Sequence, residues 1–174
     1  MPLSQKLNTA INQQIGREFG ASLQYTSIGA YFSEEGLLEL ADFFNQQADE
    51  ERAHALRFAK YLLDSGGHLE IPAIGAPKHA FKSVVEAIKL SLSWEEEVTR
   101  QINRLVTLAV KAKDPTTQNV LNWFLNEQIE EVATMETLLK VARRAGENVL
   151  LVDEFIARQG AKLRGAGAGQ AAAE

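Results

Sequence analysis

Residues 50–54 read Glu50-Glu51-Arg52-Ala53-His54 and lie in the middle of a stretch whose apolar side chains recur every three or four residues. Such spacing predicts an amphipathic α-helix with its apolar face in the protein interior. Glu51 and His54, three residues apart, fall on that face. Because an unpaired charge is costly to bury, buried charged groups are usually paired or bind a metal ion. The stretch therefore predicts a buried helix and a polar centre within it.

Three further stretches repeat this arrangement, each with a glutamate near the midpoint of its apolar stripe. The four stripes contain Leu7, Ile11, Gln14, Glu18, Ala21, Tyr25, Ile28 and Phe32; Leu40, Phe44, Gln47, Glu51, His54, Phe58 and Leu62; Ile88, Leu92, Glu95, Val98, Ile102, Leu105 and Ala109; and Leu121, Leu125, Gln128, Glu131, Val132, Met135, Leu138 and Ala142. This spacing predicts four long α-helices, and no stretch shows the alternation that is typical of a β-strand.

Turn and capping residues predict where these helices end. The signals are the turn Ser33–Gly36, the pair Gly66-Gly67, the capping box that opens at Ser83, the break Asp114-Pro115, and Gly146. A shorter apolar stripe predicts a fifth helix from Val149 to about Leu163. We expect one domain over residues 1–164, followed by a disordered Gly/Ala tail over residues 165–174.

The connections between the helices predict their arrangement. The first and third are short and therefore join antiparallel neighbours, whereas about sixteen residues around Pro72 and Pro77 form the second. A thirty-residue helix is roughly 45 Å long and sixteen extended residues reach roughly 50 Å, so this connector can traverse the whole bundle. The expected fold is all-α: a ferritin-like four-helix bundle with one long crossover connection and a short fifth C-terminal helix.

The composition excludes several kinds of protein. With 18 basic and 23 acidic residues the net charge is −5, which provides no basic surface for nucleic acid. The chain has neither a long apolar run nor the pattern of a signal peptide, so we expect no membrane association and a cytoplasmic location. It also has no cysteine, which excludes thiolate chemistry. Any metal ion must therefore bind to oxygen and imidazole.

The midpoints of equally long bundled helices meet at one level, whichever way each helix runs. The polar residues at these midpoints are Glu18, Glu51, His54, Glu95, Gln128 and Glu131. Carboxylates gathered in a low-dielectric core repel one another unless cations neutralise them, and two divalent ions match their charge. Carboxylates with a single imidazole favour iron or manganese, with zinc left open. Because oxygen ligands favour Fe(III), a bound Fe(II) pair is expected to be readily oxidised.

Several stretches together resemble the bacterial non-haem ferritins, members of the ferritin-like di-iron family. The stretches are Glu18-Phe19-Gly20-Ala21-Ser22-Leu23-Gln24-Tyr25, Glu50-Glu51-Arg52-Ala53-His54, Trp94-Glu95-Glu96-Glu97 and Trp123-Phe124-Leu125-Asn126-Glu127-Gln128-Ile129-Glu130-Glu131. The resemblance implies a ferroxidase centre with these roles: Glu18 and His54 on the first iron, Glu51 as the bridge, Glu95 and Glu131 on the second iron, and Tyr25 and Gln128 close by. An additional iron site would comprise Glu50, Glu127 and Glu130.

The resemblance implies iron storage and detoxification as the function. The enzyme activity would be that of a ferroxidase, which oxidises Fe(II) to Fe(III) with oxygen or hydrogen peroxide before the product mineralises inside a hollow homo-oligomeric shell of 24 subunits. The fifth helix would then line the fourfold axes. Two irons per subunit are expected, with a third at the additional site. No haem is expected, because Arg52 stands where bacterioferritins have their haem-ligating methionine.

Other di-iron proteins are the alternatives. Bacterioferritins and rubrerythrins repeat Glu-x-x-His on the fourth helix, whereas this chain has Gln128-x-x-Glu131. The second iron would therefore be held by oxygens alone and more weakly, which favours passage into storage. A di-iron oxidase or peroxidase without storage is the main rival. A DNA-protecting mini-ferritin, whose site lies between subunits, and a purely structural bundle are further alternatives.

Overall fold

The computed structural model describes residues 3–163, which form five α-helices and no β-strand. The helices are α1 Gln5–Glu34, α2 Leu38–Asp64, α3 Val84–Lys111, α4 Pro115–Ala145 and α5 Leu150–Leu163. This confirms the expected all-α bundle of four long helices with a long second connection and a short fifth helix. The tail expected over residues 165–174 lies outside the described residues. None of the helices in the described part of the chain is long and apolar enough to cross a membrane.

The helix ends follow the capping signals closely. The Asp114 carboxylate accepts the backbone N–H of Thr117 at 3.0 Å, and Pro115 occupies the first turn of α4. The Ser83 hydroxyl accepts the backbone N–H of Glu86 at 3.1 Å, which is one half of the expected capping box. The other half differs, because the Glu86 carboxylate accepts the N–H of Lys82 at 2.6 Å. Both helices therefore begin where their side-chain caps place them.

The crossover connection runs along the whole of α1. The side chains of Asn8 and Asn12 near the start of α1 both donate to the carbonyl of His68, at 3.2 and 2.8 Å. Gln24, further along α1, donates to the carbonyl of Lys78 at 2.9 Å. The connector thus runs in the same direction as α1. Because α2 runs antiparallel to α1, the connector returns the chain to the end of the bundle where α2 begins. The next helix, α3, therefore runs parallel to α2, as expected.

One glycine allows the connector to lie against α1. A Cβ atom on Gly16 would lie 2.4 Å from Cγ of Pro72, closer than any real contact, so only glycine fits beneath this proline. The connector can therefore lie flat on the helix, held by side-chain amides on both sides of the glycine.

Two apolar clusters fill the bundle, one on each side of its middle. The first contains Phe32, Phe44, Ile88 and Leu138, and α5 covers it with Val152 and other residues. The second is built from the opposite ends of the long helices and contains Ile11, Ile15, Phe58, Leu62, Ile102, Leu105, Leu121 and Phe124. Burial of these side chains is the main stabilising contribution to folding. The polar midpoints of the helices lie between the two clusters.

Candidate metal centre

The structure brings the glutamates and the histidine of the helix midpoints together in the bundle interior. Glu18 of α1, Glu51 and His54 of α2, and Glu95 of α3 are all buried, with Glu95 entirely inaccessible to solvent. Glu131 of α4 has 12% of its side chain exposed. Each of these helices continues for several turns on both sides of its polar residue, and the apolar clusters there fix its position.

Within residues 3–163, two groups of side chains have the geometry of a metal site, and they share Glu51. We call Glu18, Glu51 and His54 the histidine group, and Glu51, Glu95 and Glu131 the carboxylate group. In each group, one ligand atom from every member lies within 4.8 Å of the others. Two metal ions could therefore be bound side by side, with Glu51 between them.

The imidazole of His54 faces both groups. Its Nδ1 atom lies 3.6 Å from Glu51 Oε2 and 3.7 Å from Glu131 Oε1, too far for a hydrogen bond but suitable for a shared ion. Trp123 and Phe124 each form a T-shaped contact with the ring, at centroid distances of 5.5 and 5.8 Å. This packing restricts the orientation of the imidazole.

Two neutral donors hold the carboxylate group. The hydroxyl of Tyr25 donates a hydrogen bond to Glu95 Oε1. The amide of Gln128 donates to Glu95 Oε2 at 3.0 Å and to Glu131 Oε2 at 2.6 Å. Tyr25 and Gln128 therefore lie beside the carboxylate group and orient two of its glutamates. Their part in the iron chemistry stays a prediction.

The crowding of the carboxyl groups raises their pKa values. Burial is the largest cause for Glu51, Glu95 and Glu131, and the neighbouring carboxylates add to it. For Glu131 the pKa rises to about 8. Burial, followed by the charge of Glu95, also raises the pKa of Tyr25 well above its ordinary value. Carboxyl groups in such surroundings hold protons near neutral pH, and a metal ion must displace these protons when it binds.

Several buried oxygen atoms of the centre have no hydrogen-bond partner and are suitable ligands for a metal ion. Glu18 Oε2, Glu51 Oε2 and Gln128 Oε1 are buried, and none accepts a hydrogen bond. Buried acceptors of this kind are rare in folded proteins, and a bound cation is one explanation for them. Carboxylate oxygens with one imidazole nitrogen are suitable ligands for iron. The residues present therefore fit a pair of iron ions.

The additional site stays a prediction. Glu50, Glu127 and Glu130 belong to neither of the two groups found among residues 3–163. Glu127 and Glu50 nevertheless lie near the centre, since their negative charges contribute to the raised pKa of Glu131, and the charge of Glu130 acts in turn on Glu127. Burial is the main cause that raises the pKa of Glu127 itself. Glu50 is half-buried and Glu130 is exposed.

Sequence reasoning missed two residues next to this centre. The amide of Gln14 donates to Glu18 Oε1 at 2.8 Å, and Gln101 of α3 approaches Gln14 from the other side. Gln14 lies on the apolar stripe of α1, one turn before Glu18, and this position could have indicated a contact with Glu18. Gln101 lies beside the α3 stripe and carries no comparable signal.

Comparison with known proteins agrees with this geometry. Residues 8–145 match the family described as Ferritin-like domain. Ferritin BfrB of Mycolicibacterium smegmatis is 41% identical over 90% of this chain and 87% of its own length. The bacterial non-heme ferritin of Staphylococcus aureus is 42% identical over 84% of this chain and 88% of its own. An open pore ferritin from Archaeoglobus fulgidus has a TM-score of 0.86 at 29% identity, covering 88% of this chain and 96% of that one.

Proposed function

Because this chain belongs to the ferritin family, we propose that it stores iron, oxidising Fe(II) to Fe(III) at a di-iron centre and retaining the product as mineral inside a hollow shell. One observation carries this proposal. The two ligand groups share Glu51, so they can bind two iron ions close enough to react together. Their buried oxygens without hydrogen-bond partners support the same interpretation.

In this proposal iron is the substrate. Each Fe(II) ion loses one electron to oxygen or hydrogen peroxide, and the Fe(III) product leaves for the interior of the shell. The histidine group holds one ion through oxygen and nitrogen, whereas the carboxylate group holds the other through oxygen alone. Tyr25 and Gln128 orient Glu95 for the second ion. The two apolar clusters pack on either side of the centre along the bundle, and its ligands are buried or nearly so.

The finer features of the proposal follow from the family. We propose a homo-oligomer of 24 subunits in which α5 contributes to the fourfold axes, and a third iron position at Glu50, Glu127 and Glu130. The half-buried and exposed positions of these glutamates support a role in passing iron from the centre to the interior. No haem takes part in the reaction.

Iron loading tests the proposal directly. Anaerobic metal-free protein receives Fe(II) well above two ions per chain, oxygen is then admitted, and iron is measured across a size-exclusion profile. We expect most of the iron to elute as Fe(III) with a large particle. If the iron retained stays at two ions per chain on a monomer or dimer, storage is wrong and a di-iron oxidase acting on another substrate takes its place.

A further inference from the structure

A chain of buried amides leads from the surface of α3 to the metal centre. Gln14 of α1 is inaccessible to solvent, and Gln101 of α3 is 9% exposed. The amide of Gln101 donates to Glu97 Oε1 at 3.1 Å and accepts from the amide of Gln14 at 3.4 Å. The amide of Gln14 also donates to Glu18 Oε1 at 2.8 Å. Gln14, which is not itself a predicted iron ligand, therefore contacts the predicted ligand Glu18 directly.

The hydrogen bonds of Gln14 permit one orientation of its amide. Both N–H bonds are used, one toward Glu18 and one toward Gln101. Its carbonyl oxygen accepts from the guanidinium of Arg17 at 3.4 Å. In the opposite orientation, the carbonyl of Gln14 would face the carboxylate of Glu18, so that two acceptors meet. The NH₂ group of Gln14 would face the guanidinium of Arg17, so that two donors meet. Gln101 and Arg17 thus keep the donor of Gln14 aimed at Glu18.

The two oxygens of Glu18 consequently differ. Oε1 accepts the hydrogen bond of Gln14, whereas Oε2 is buried, accepts no hydrogen bond, and belongs to the carboxylate that lies within ligand distance of Glu51 and His54. A carboxylate without such a partner can rotate and offer both oxygens to one ion. Outer partners of this kind orient ligands and tune the affinity of metal sites.

We propose that Gln14, held by Gln101, is a positioning residue that engages Glu18 Oε1 so that Oε2 alone binds the ion of the histidine group. A carboxylate that binds through one oxygen leaves a further coordination position on the ion for oxygen or peroxide. This inference rests on the proposed function, because it takes the histidine group to be an iron site. The role is one of orientation, since Gln14 contacts Glu18 and not the ion.

Binding of Co(II) to the full-length, metal-free protein tests this role without any turnover. The visible absorption of Co(II) depends on its coordination number, and octahedral ions absorb less strongly than ions with fewer ligands. In Gln14→Leu, Glu18 is free to bind through both oxygens. We expect the absorption of the first equivalent to weaken and its affinity to fall about 10- to 100-fold. Gln101→Leu keeps Gln14 but removes the acceptor of its second N–H bond. We expect smaller changes in the same direction.

Gln24→Leu is the matched control. Gln24 is also a buried glutamine of α1, but its amide holds the connector through the backbone of Lys78 and does not contact the metal centre. We expect this variant to keep the wild-type Co(II) spectrum and affinity. If Gln14→Leu and Gln101→Leu match Gln24→Leu in both readouts, the positioning role is wrong while the proposed function stands. If the wild-type protein itself binds no Co(II), the proposed function fails and this inference fails with it.

Discussion

The histidine group and the carboxylate group share Glu51 and lie side by side, yet they differ in what surrounds their ligands. In the histidine group, Glu18 accepts the hydrogen bond of Gln14 and lies within ligand distance of His54 and Glu51. In the carboxylate group, Glu95 and Glu131 face each other and Glu51, and burial with mutual repulsion raises the pKa of all three. The first site is thus organised by its partners, whereas the second depends on a cation to relieve its charge.

Under the proposed function, this difference gives one centre the means both to capture iron and to release it. A site with an imidazole and an oriented carboxylate binds an ion firmly. A site of crowded oxygens binds when its protons leave, and it loses its ion when they return. We therefore expect the second ion to be the one that is bound more weakly and that leaves first toward the interior.

Removal of the shared ligand is expected to have the largest effect. Glu51→Ala takes an oxygen from both groups at once, so neither site keeps its geometry. Loss of a partner outside the ligand shell costs about 10- to 100-fold in metal affinity or activity, and we expect loss of this ligand to slow Fe(II) oxidation by at least about 100-fold. Stopped-flow absorbance of Fe(III) at two Fe(II) per chain measures the rate.

Glu34→Ala, an exposed glutamate at the end of α1, is the control and should oxidise iron at the wild-type rate. The Glu51→Ala variant should fold normally and melt at or above the wild-type temperature, because the change removes a buried carboxyl group. An unchanged oxidation rate in a folded Glu51→Ala protein would show that the centre lies elsewhere.

The stability of the metal-free protein should depend on pH through the carboxylate group. In the folded state the pKa of Glu131 is about 8, against an ordinary value of 4.5. Between these values the folded state holds more protons than the unfolded state, so this contribution to stability is complete below about pH 4.5 and is lost as the pH rises from there to 8. The slope is about 1.4 kcal/mol per pH unit for each additional proton. Melting temperatures measured with a chelator from pH 5 to 9 give this slope.

Two variants on α4 identify the source of that slope. Glu131→Gln removes one titrating group and its repulsion of Glu51 and Glu95, so it should reduce the slope. Glu136→Gln, an exposed position five residues further on, should keep it. Added Co(II) should restore stability at high pH in the wild-type protein, since the ion replaces the protons. A melting temperature that rises with pH in metal-free protein would contradict the raised pKa values.

The two groups also differ in how far their residues could be predicted from the sequence. Five residues were predicted to lie together because each interrupts an apolar stripe at its midpoint: Glu18, Glu51, His54, Glu95 and Glu131. Helical periodicity alone brings such positions to one level. The structure brings all five together, and their role as iron ligands stays a prediction. Gln101 lies beside its stripe, and its contact with Gln14 depends on the spacing between α1 and α3, which periodicity does not determine.

The same limit applies to the fold. Four long helices, the crossover and the fifth helix were predicted from periodicity, caps and loop lengths, and the observed helix ends lie within a few residues of those predicted. The path of the crossover was predicted only as an extended traverse. Its attachment depends on Asn8, Asn12 and Gln24, whose amides bind backbone groups of the connector. Amides that bind an irregular segment leave no periodic signal in a sequence.

Removal of one ligand from each group should separate the two sites. His54→Ala removes the imidazole, so we expect the first equivalent of Co(II) to bind about tenfold more weakly or worse. Glu131→Ala leaves the histidine group intact and should weaken the second equivalent while the first keeps its affinity. Calorimetric titration of metal-free protein resolves the two steps. If both variants weaken the same step equally, the two groups form one undivided site and the comparison between them is wrong.

The smallest effect is expected from the hydroxyl that supports the carboxylate group. The hydrogen bond from Tyr25 lowers the pKa of Glu95 against the larger effect of burial, so Tyr25→Phe raises that pKa further. The second metal ion must then displace a more firmly held proton. Loss of one hydrogen bond costs about 1 kcal/mol, so we expect the second Co(II) equivalent to bind roughly fivefold more weakly at pH 7 and the first to be unchanged. Tyr61→Phe, whose hydroxyl contacts Thr117 at 2.6 Å, is the matched control and should alter neither equivalent. A loss confined to the first equivalent in Tyr25→Phe would mean that this hydroxyl supports the histidine group instead.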